Sequence, residues 1–500
     1  MQFLRSRRWR IFLIVWMVYS LHFATNVVRE HYPAFSLAEH GTLRVDEYQG
    51  FHTDIFVHRD GHSHINNQVL VSVLAAVPLL VFDPVLDALE RHSKAEVARH
   101  GVTNTEYRTS RKNAARLYQM TRERGLDLRF GAATAITTVF FMAPLTALFM
   151  VFFYGQLRER TVDPDPAAGL TLLLAFGTPL FFRSTGLNHN MFVMYGMFAA
   201  FALLWVKPGM EFPVSRQRRL LAGFWGGVTL ATDYIGALIL PLLYAYLVIP
   251  RALQSSWKTS LRESLDMVAG SLLPVAFLLY TQWSMFGDPF LPAQHWMPKA
   301  NEYAFRGAQG FTMPEWDLLL QNLFHPGFGL YVWGPVLALA LVPAWWYRSD
   351  SLILPRRERR FVAVAFVLLL LFASANQYAR LQWNSGFRYL VPLVPFLLLA
   401  LSDHWIRLPR LARAAIAVPL VLHSWVLAAF REPVPVSWSL FGSEGVQLPW
   451  FRVLRLTAAP GSALSNAGWL PGVMVLTTVI VAVAIWQYGA RLERRREVLG

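Results

Sequence analysis

The sequence contains no cysteine, so disulfides, zinc–thiolate sites and thiol nucleophiles are all excluded. Charge is scarce as well. Only 15% of the 500 residues are Asp, Glu, Lys or Arg, whereas a soluble globular chain carries about 25%. Acids are the scarcer sign, 31 against 46 Lys and Arg, which leaves a net charge of +15. A nucleic-acid surface would gather this excess on one soluble face, but here the basic residues flank apolar runs. That placement fits cytoplasmic anchoring by the positive-inside rule and excludes nucleic acid as a partner.

Hydrophobic residues make up 55% of the chain, and mean hydropathy is +0.35. Eighteen Trp and seventeen Tyr suit interfacial belts. Apolar runs lie at 11–28, 68–82, 130–155, 169–183, 191–206, 220–249, 267–286, 328–347, 361–376, 389–406, 412–430 and 469–488. The first follows a basic stretch as a secretory signal would. It is too long for a signal core and lacks a small-x-small cleavage site, so it reads as an uncleaved first helix. The run 220–249 is too long for one span and is expected to break at Thr232-Asp233-Tyr234, with Asp233 solvated at the tip.

Sidedness turns on 68–82. If this run lies along the membrane instead of crossing it, the later internal segments carry 21 Lys and Arg and the external ones 8. If it crosses, the ratio inverts. Pro78 and Asp83-Pro84 also predict a short interfacial helix there rather than a continuous span. The expected fold is therefore an all-α polytopic membrane protein of about twelve spans, multi-pass in the plasma membrane, with both termini cytoplasmic. Its parts are a first transmembrane helix in 1–28, an external loop 29–129 with a juxtamembrane helix at 68–82, a transmembrane core 130–406, and C-terminal helices with a basic tail in 407–500. No internal repeat is evident.

The external loop carries the candidate chemistry. Glu30, directly after the first helix, is placed to act as a general base toward an acceptor hydroxyl, with Asp54 and Asp46 as further carboxylates. Pairing of Glu30 with Arg29 at the headgroup layer is the alternative. His52, His58, His62 and His64 lie near Asp46, Asp54 and Asp60, a composition able to hold a divalent metal such as Mg or Mn, with His62 and His64 as candidate ligands. In the non-crossing topology Arg129, His189, Asp233, Arg380 and Arg388 all fall at external helix ends. There, cations can hold a phosphate while a carboxylate takes a proton.

The sequence resembles the GT-C class of membrane glycosyltransferases, which includes protein O-mannosyltransferases and aminoarabinose transferases, and is closest to its family-39-like bacterial members. The segments that carry the likeness are 32–46, 54–76, 176–189, 226–234, 286–289, 329–335 and Trp383-Asn384-Ser385-Gly386-Phe387-Arg388-Tyr389-Leu390, spread over about 29–400. The resemblance implies a polyprenyl phosphate-linked sugar donor used at the external face. It also implies a carboxylate in the first external loop as base or metal anchor, and polar tips facing one cavity. Arg129 looks like the arginine that opens the second span of O-mannosyltransferases. The sequence departs from the family pattern at three places. Arg29-Glu30 stands where many members have an Asp-Glu pair, Asn66-Asn67-Gln68-Val69 where relatives carry Lys before Pro, and His189 where Asp is frequent.

The expected function is thus transfer of a sugar from a lipid-linked donor to a lipid, glycan or protein acceptor. A transporter or flippase of lipid-linked saccharides, or an inactive assembly protein of the same fold, is the alternative. The hundred polar residues before the second span favour an enzyme, since a transporter has little use for them.

Overall fold

The computed structural model describes the whole chain except residues 1, 103–106, 108, 162, 207–213, 255, 300–301, 342–352, 459–460 and 500. The end of the expected run 328–347 lies outside the described residues. Elsewhere the fold is helical apart from one short hairpin, β1 (Ile55–Val57) paired antiparallel with β2 (Ser63–Ile65). The first half comprises α1 (Arg7–Leu21), α2 (His31–His40), α3 (Leu70–His100), α4 (Lys112–Glu123) and α5 (Asp127–Arg158). They are followed by α6 (Pro164–Phe176), α7 (Leu180–Ser184), α8 (His189–Leu204), α9 (Arg216–Thr232), α10 (Gly236–Gln254) and α11 (Trp257–Phe286). Next come α12 (Trp316–Phe324), α13 (Leu330–Trp333), α14 (Arg356–Ala375), α15 (Val394–Ala400) and α16 (Arg410–Phe430). The last three are α17 (Val434–Glu444), α18 (Pro449–Thr457) and α19 (Leu470–Leu499). Among the described residues, α3, α5, α10, α11, α16 and α19 are long and apolar enough to cross a bilayer, which gives the chain the make-up of a multi-pass membrane protein.

Contacts fix which helix ends share a level. α1 runs antiparallel to α5, since the Trp16 indole donates to the Val139 carbonyl at 2.8 Å and Arg7 reaches Asp165 just beyond the far end of α5. α8 runs parallel to α5 through a hydroxyl contact between Thr146 and Tyr195 at 2.5 Å. At the basal end Glu493 accepts from Arg7 and Arg10, and Asp165 from Arg7 and Arg410, so α1, α6, α16 and α19 meet there. The starts of α5 and α8 and the end of α1 therefore make up the opposite, upper end.

The second apolar run departs from expectation. In place of a helix confined to 68–82, α3 continues through Pro78 and Pro84 to His100. Its extension is held by electrostatics: Asp83, Asp87 and Glu90, on one helical face, converge on the buried Arg129, at 3.8, 2.9 and 2.6 Å, and Glu39 of α2 completes the ring. Both ends of α3 nevertheless belong to the upper end. Ser93 bonds Asp127 at the start of α5, and Asn66, just before α3, offers its carbonyl to Arg29 at 3.5 Å.

The expected break in 220–249 is present, with Thr232 ending α9 and Gly236 opening α10. α9 then packs against α11 at backbone distance. A Cβ on Gly223 would lie 2.0 Å from the Met267 carbonyl oxygen, and one on Gly270 1.9 Å from that of Leu220. Small residues at such a crossing let two helices associate by direct packing where lipid offers no hydrophobic drive.

Candidate functional site

The upper end collects polar and charged side chains from four separated stretches of chain. After α1 the backbone unwinds and turns into α2, setting Arg29 and Glu30 side by side. Asn188 caps α8 by accepting from the Asn190 N–H at 2.9 Å, so the helix opens on His189. Asp233 closes the α9–α10 break through the Ile235 N–H at 3.0 Å. The β1–β2 hairpin supplies Asp54, whose carbonyl takes the Asn66 N–H at 2.9 Å.

These groups form one connected cluster. His189 Nδ1 faces Glu30 Oε1 in a short contact, and its Nε2 lies 3.2 Å from Asp233 Oδ2. Arg29 spans the cluster, 3.1 Å from Asp54 Oδ2, 3.5 Å from Glu30 Oε1 and 3.2 Å from His189 Nε2. Asp233 is thus in direct polar contact with His189, with 22% of its side chain exposed, not the solvated tip that was expected. Glu30 and Asp54 are both shifted toward the ionised form. Burial alone would raise Glu30, but His189 and Arg29 override it and hold it far below the ordinary range. Burial likewise opposes ionisation of Asp54, and His52, Arg29 and Arg388 together bring it below its usual value. Accessibility separates the two: Glu30 is 4% exposed and enclosed, whereas Asp54 is 23% exposed.

Beside this cluster lies a group of arginines with almost no carboxylate. Arg111, Arg183 and Arg431 surround the Phe182 ring, at 5.7, 5.9 and 4.0 Å from its centre. Arg388 is close enough to act electrostatically on Arg183, Asp54 and His52, which joins the two clusters. The contacts of these arginines are mainly neutral: Arg111 donates to the Asn384 carbonyl at 3.4 Å, Arg183 to that of Ser385 at 3.1 Å, and Arg431 to Phe182 and Thr185 oxygens. Arg111 Nε and Nη2, Arg183 Nε and Arg388 Nε are buried with no hydrogen-bond partner among the described residues. For Arg111 and Arg431, burial disfavours the charged form, and Arg111 adds its repulsion to Arg431. A guanidinium keeps its proton under such pressure, so the group concentrates positive charge and unpaired donors of the kind that suit an anion.

Gly386 makes this geometry possible. At φ +77° it turns the 384–388 loop tightly, and a Cβ there would meet the Phe182 and Trp333 rings at 2.9 Å.

Other expected site residues lie elsewhere. Arg129 is spent on Glu39, Asp83, Asp87 and Glu90, which makes it the tie between α2, α3 and α5. Arg380 pairs with Glu315 and Asp317 at 2.6 and 2.7 Å, fastening the 377–384 turn to α12. Asp46 accepts from the Ser63 N–H and sits 3.0 Å from His62 Nδ1, an anchor for the hairpin. The two metal-candidate histidines diverge, because His62 takes Asp46 while His64 takes Asp60 at 3.0 Å. Among the described residues the one trio with metal-ligand spacing is Glu39, His40 and Glu47, and Glu39 is already engaged by Arg129 and Tyr48. No Mg or Mn site at His62 and His64 follows from this geometry.

Sequence reasoning overlooked Arg29 as the bridging cation and passed over the arginine group of Arg111, Arg183 and Arg431. Arg183 carried a signal, a lone charge closing the apolar run 169–183. Arg111 carried none. Against known proteins, no family model, curated protein or solved structure matches the chain.

Proposed function

We propose that the chain is a GT-C-type membrane glycosyltransferase that moves a sugar from a polyprenyl phosphate to an acceptor hydroxyl outside the cytoplasm. The observation that carries this reading is the buried, carboxylate-poor arginine group next to an ionised, partly exposed Asp54. Asp54 removes the proton of the acceptor hydroxyl. The oxygen bonds to the anomeric carbon as the carbon–oxygen bond to the phosphate breaks, and the departing phosphate keeps that electron pair. Arg183 and Arg388 stabilise the charge that grows on it, a task suited to bidentate guanidinium contacts in a site shielded from water. Glu30 is not the base on this reading. With His189 and Asp233 it holds Arg29, which in turn orients Asp54.

The reading carries a topology. α3 lies along the outer face, with both of its ends at the upper level, and twelve other segments cross. The upper end is then external and the basal end, with both termini, cytoplasmic in a plasma membrane. The decisive experiment compares lipid-linked sugars and their glycan products in membranes with and without the protein, and with Asp54→Asn. Donor accumulation in both the deletion and the variant is expected; unchanged donor and product pools would refute the enzyme.

A further inference from the structure

A second feature of the upper end is not used by this chemistry. Between α4 and the α17–α18 pair lies a cavity of about 1150 Å³. It exceeds the roughly 300–1,000 Å³ typical of small-molecule pockets, so a headgroup fits together with the first part of an attached chain. One wall is a stripe of residues four apart, Glu432, Val436, Leu440 and Glu444, apolar in the middle and acidic at its ends. The facing wall is polar, formed by Lys112, Arg116 and Gln119 of α4.

The acids of the cavity are engaged. Glu432 accepts from the Thr109 and Ser110 hydroxyls, Glu444 from Arg452 and Arg455, and Glu123 from the Gln119 amide at 2.9 Å. Lys112 and Arg116, one turn apart, make no side-chain hydrogen bond or ion pair among the described residues, so the unengaged charge of the cavity is positive. α17 and α18 follow directly on the upper end of α16 and precede α19, two helices able to span the bilayer. Around them Trp438, Leu454 and Trp469 are 37%, 40% and 67% exposed, as side chains at a membrane boundary are. The cavity also adjoins the anion site, because Ser110 and Glu432 on its wall are the chain neighbours of Arg111 and Arg431.

We infer that this cavity binds an anionic lipid of the outer leaflet, its headgroup on Lys112 and Arg116 and its chains along Val436 and Leu440. On the glycosyltransferase reading this lipid is the acceptor, presented to the reacting centre past Arg111 and Arg431. That role and the outer-leaflet side rest on the reading; the binding site stands without it.

The absence of native cysteine makes a direct test possible. Ser443→Cys, an exposed position of α17 about one turn past Leu440 of the cavity wall, carries an environment-sensitive dye in the full-length protein. The labelled protein is placed in phosphatidylcholine nanodiscs containing rising fractions of phosphatidylglycerol. A saturable change in emission is expected, with its midpoint moved at least tenfold by Lys112→Glu with Arg116→Glu. Both positions are exposed, and Leu440→Gln on the opposite wall provides an independent weakening. No response to phosphatidylglycerol, or an unaltered curve in the charge-reversed and Leu440→Gln proteins alike, would overturn the inference. A response to inorganic phosphate in pure phosphatidylcholine discs would overturn the lipid as the source of the anion. The measurement involves no sugar transfer, so its failure leaves the proposed enzyme standing, and failure of the enzyme leaves the lipid site standing.

Discussion

Arg129 and Arg183 are both buried arginines at the upper end, and they could hardly differ more in company. Arg129 has four carboxylates within reach, from two helices, and both of its terminal nitrogens are directed at them, its Nε alone staying unpaired among the described residues. Arg183 is surrounded by the Ser385 carbonyl oxygen, a phenyl ring and three further arginines; among the described residues Glu30 is the one carboxylate near enough to act on it, and no carboxylate is in direct contact. A buried charge costs several kcal/mol unless it is paired, so the first arrangement is a structural tie, while the second leaves positive charge that the proposed donor phosphate would neutralise. The lesson is that the number of carboxylates around a buried cation, rather than the cation itself, separates architecture from binding.

The sharpest way to test the contrast acts on the base beside the starved group. Asp54→Asn should lower transfer by about 10²- to 10⁴-fold with the fold intact, while Glu30→Gln lowers it less. Retained transfer in Asp54→Asn would remove that residue from the chemistry. Because Asp54 sits below its ordinary value near 3.8, its active, deprotonated form persists as pH falls, so the rate should hold from neutral down to about pH 4 and drop only below it. A midpoint above about pH 5, measured in detergent-solubilised protein, would point away from a carboxylate base.

Arg183→Gln comes next. Loss of one cation facing the growing phosphate charge should cost about 10²- to 10³-fold in transfer, yet melting temperature should hold or rise, because repulsion among the arginines is relieved. Arg129→Gln should invert that pattern. Leaving Glu39, Asp83, Asp87 and Glu90 without a cation should destabilise the protein by about 3–5 kcal/mol, read as a lower thermal midpoint, with activity per folded molecule preserved. If both variants lose only stability, the distinction between the two sites fails. The smallest effect is expected at Gly386→Ala. There a strained φ and two ring contacts at 2.9 Å should cost about 1–3 kcal/mol and loosen the loop that offers Asn384 and Ser385 to the arginines.

Local pattern made much of the architecture readable. A run of thirty apolar residues with an Asp at its centre had to break at Asp233, and it does, between Thr232 and Gly236. The same residue shows where local reading stops: nothing near Asp233 in sequence announces His189, 44 positions earlier, as its partner. Prolines 78 and 84 argued for a short helix, and the inference failed because the carboxylates that follow them find Arg129 across the fold. Of the site, Glu30, His189, Asp233 and Arg388 were legible as polar residues at helix ends on one side, and Asp54 as a carboxylate of the first loop. Arg129 and Arg380 met the first criterion and Asp46 the second, yet all three are consumed by structural pairs, a difference that only tertiary contacts express.

The last helix, α19, closes on the bundle through Glu493, yet only 6% of its apolar stretch is buried. Seen as a record of selection, such a helix should be the most freely drifting part of the molecule. Along 470–485 most lipid-soluble residues serve, so the order of its Val, Ile, Leu and Ala carries little information, whereas Trp486 under Arg10 and the acid that grips Arg7 and Arg10 hold the helix to the bundle.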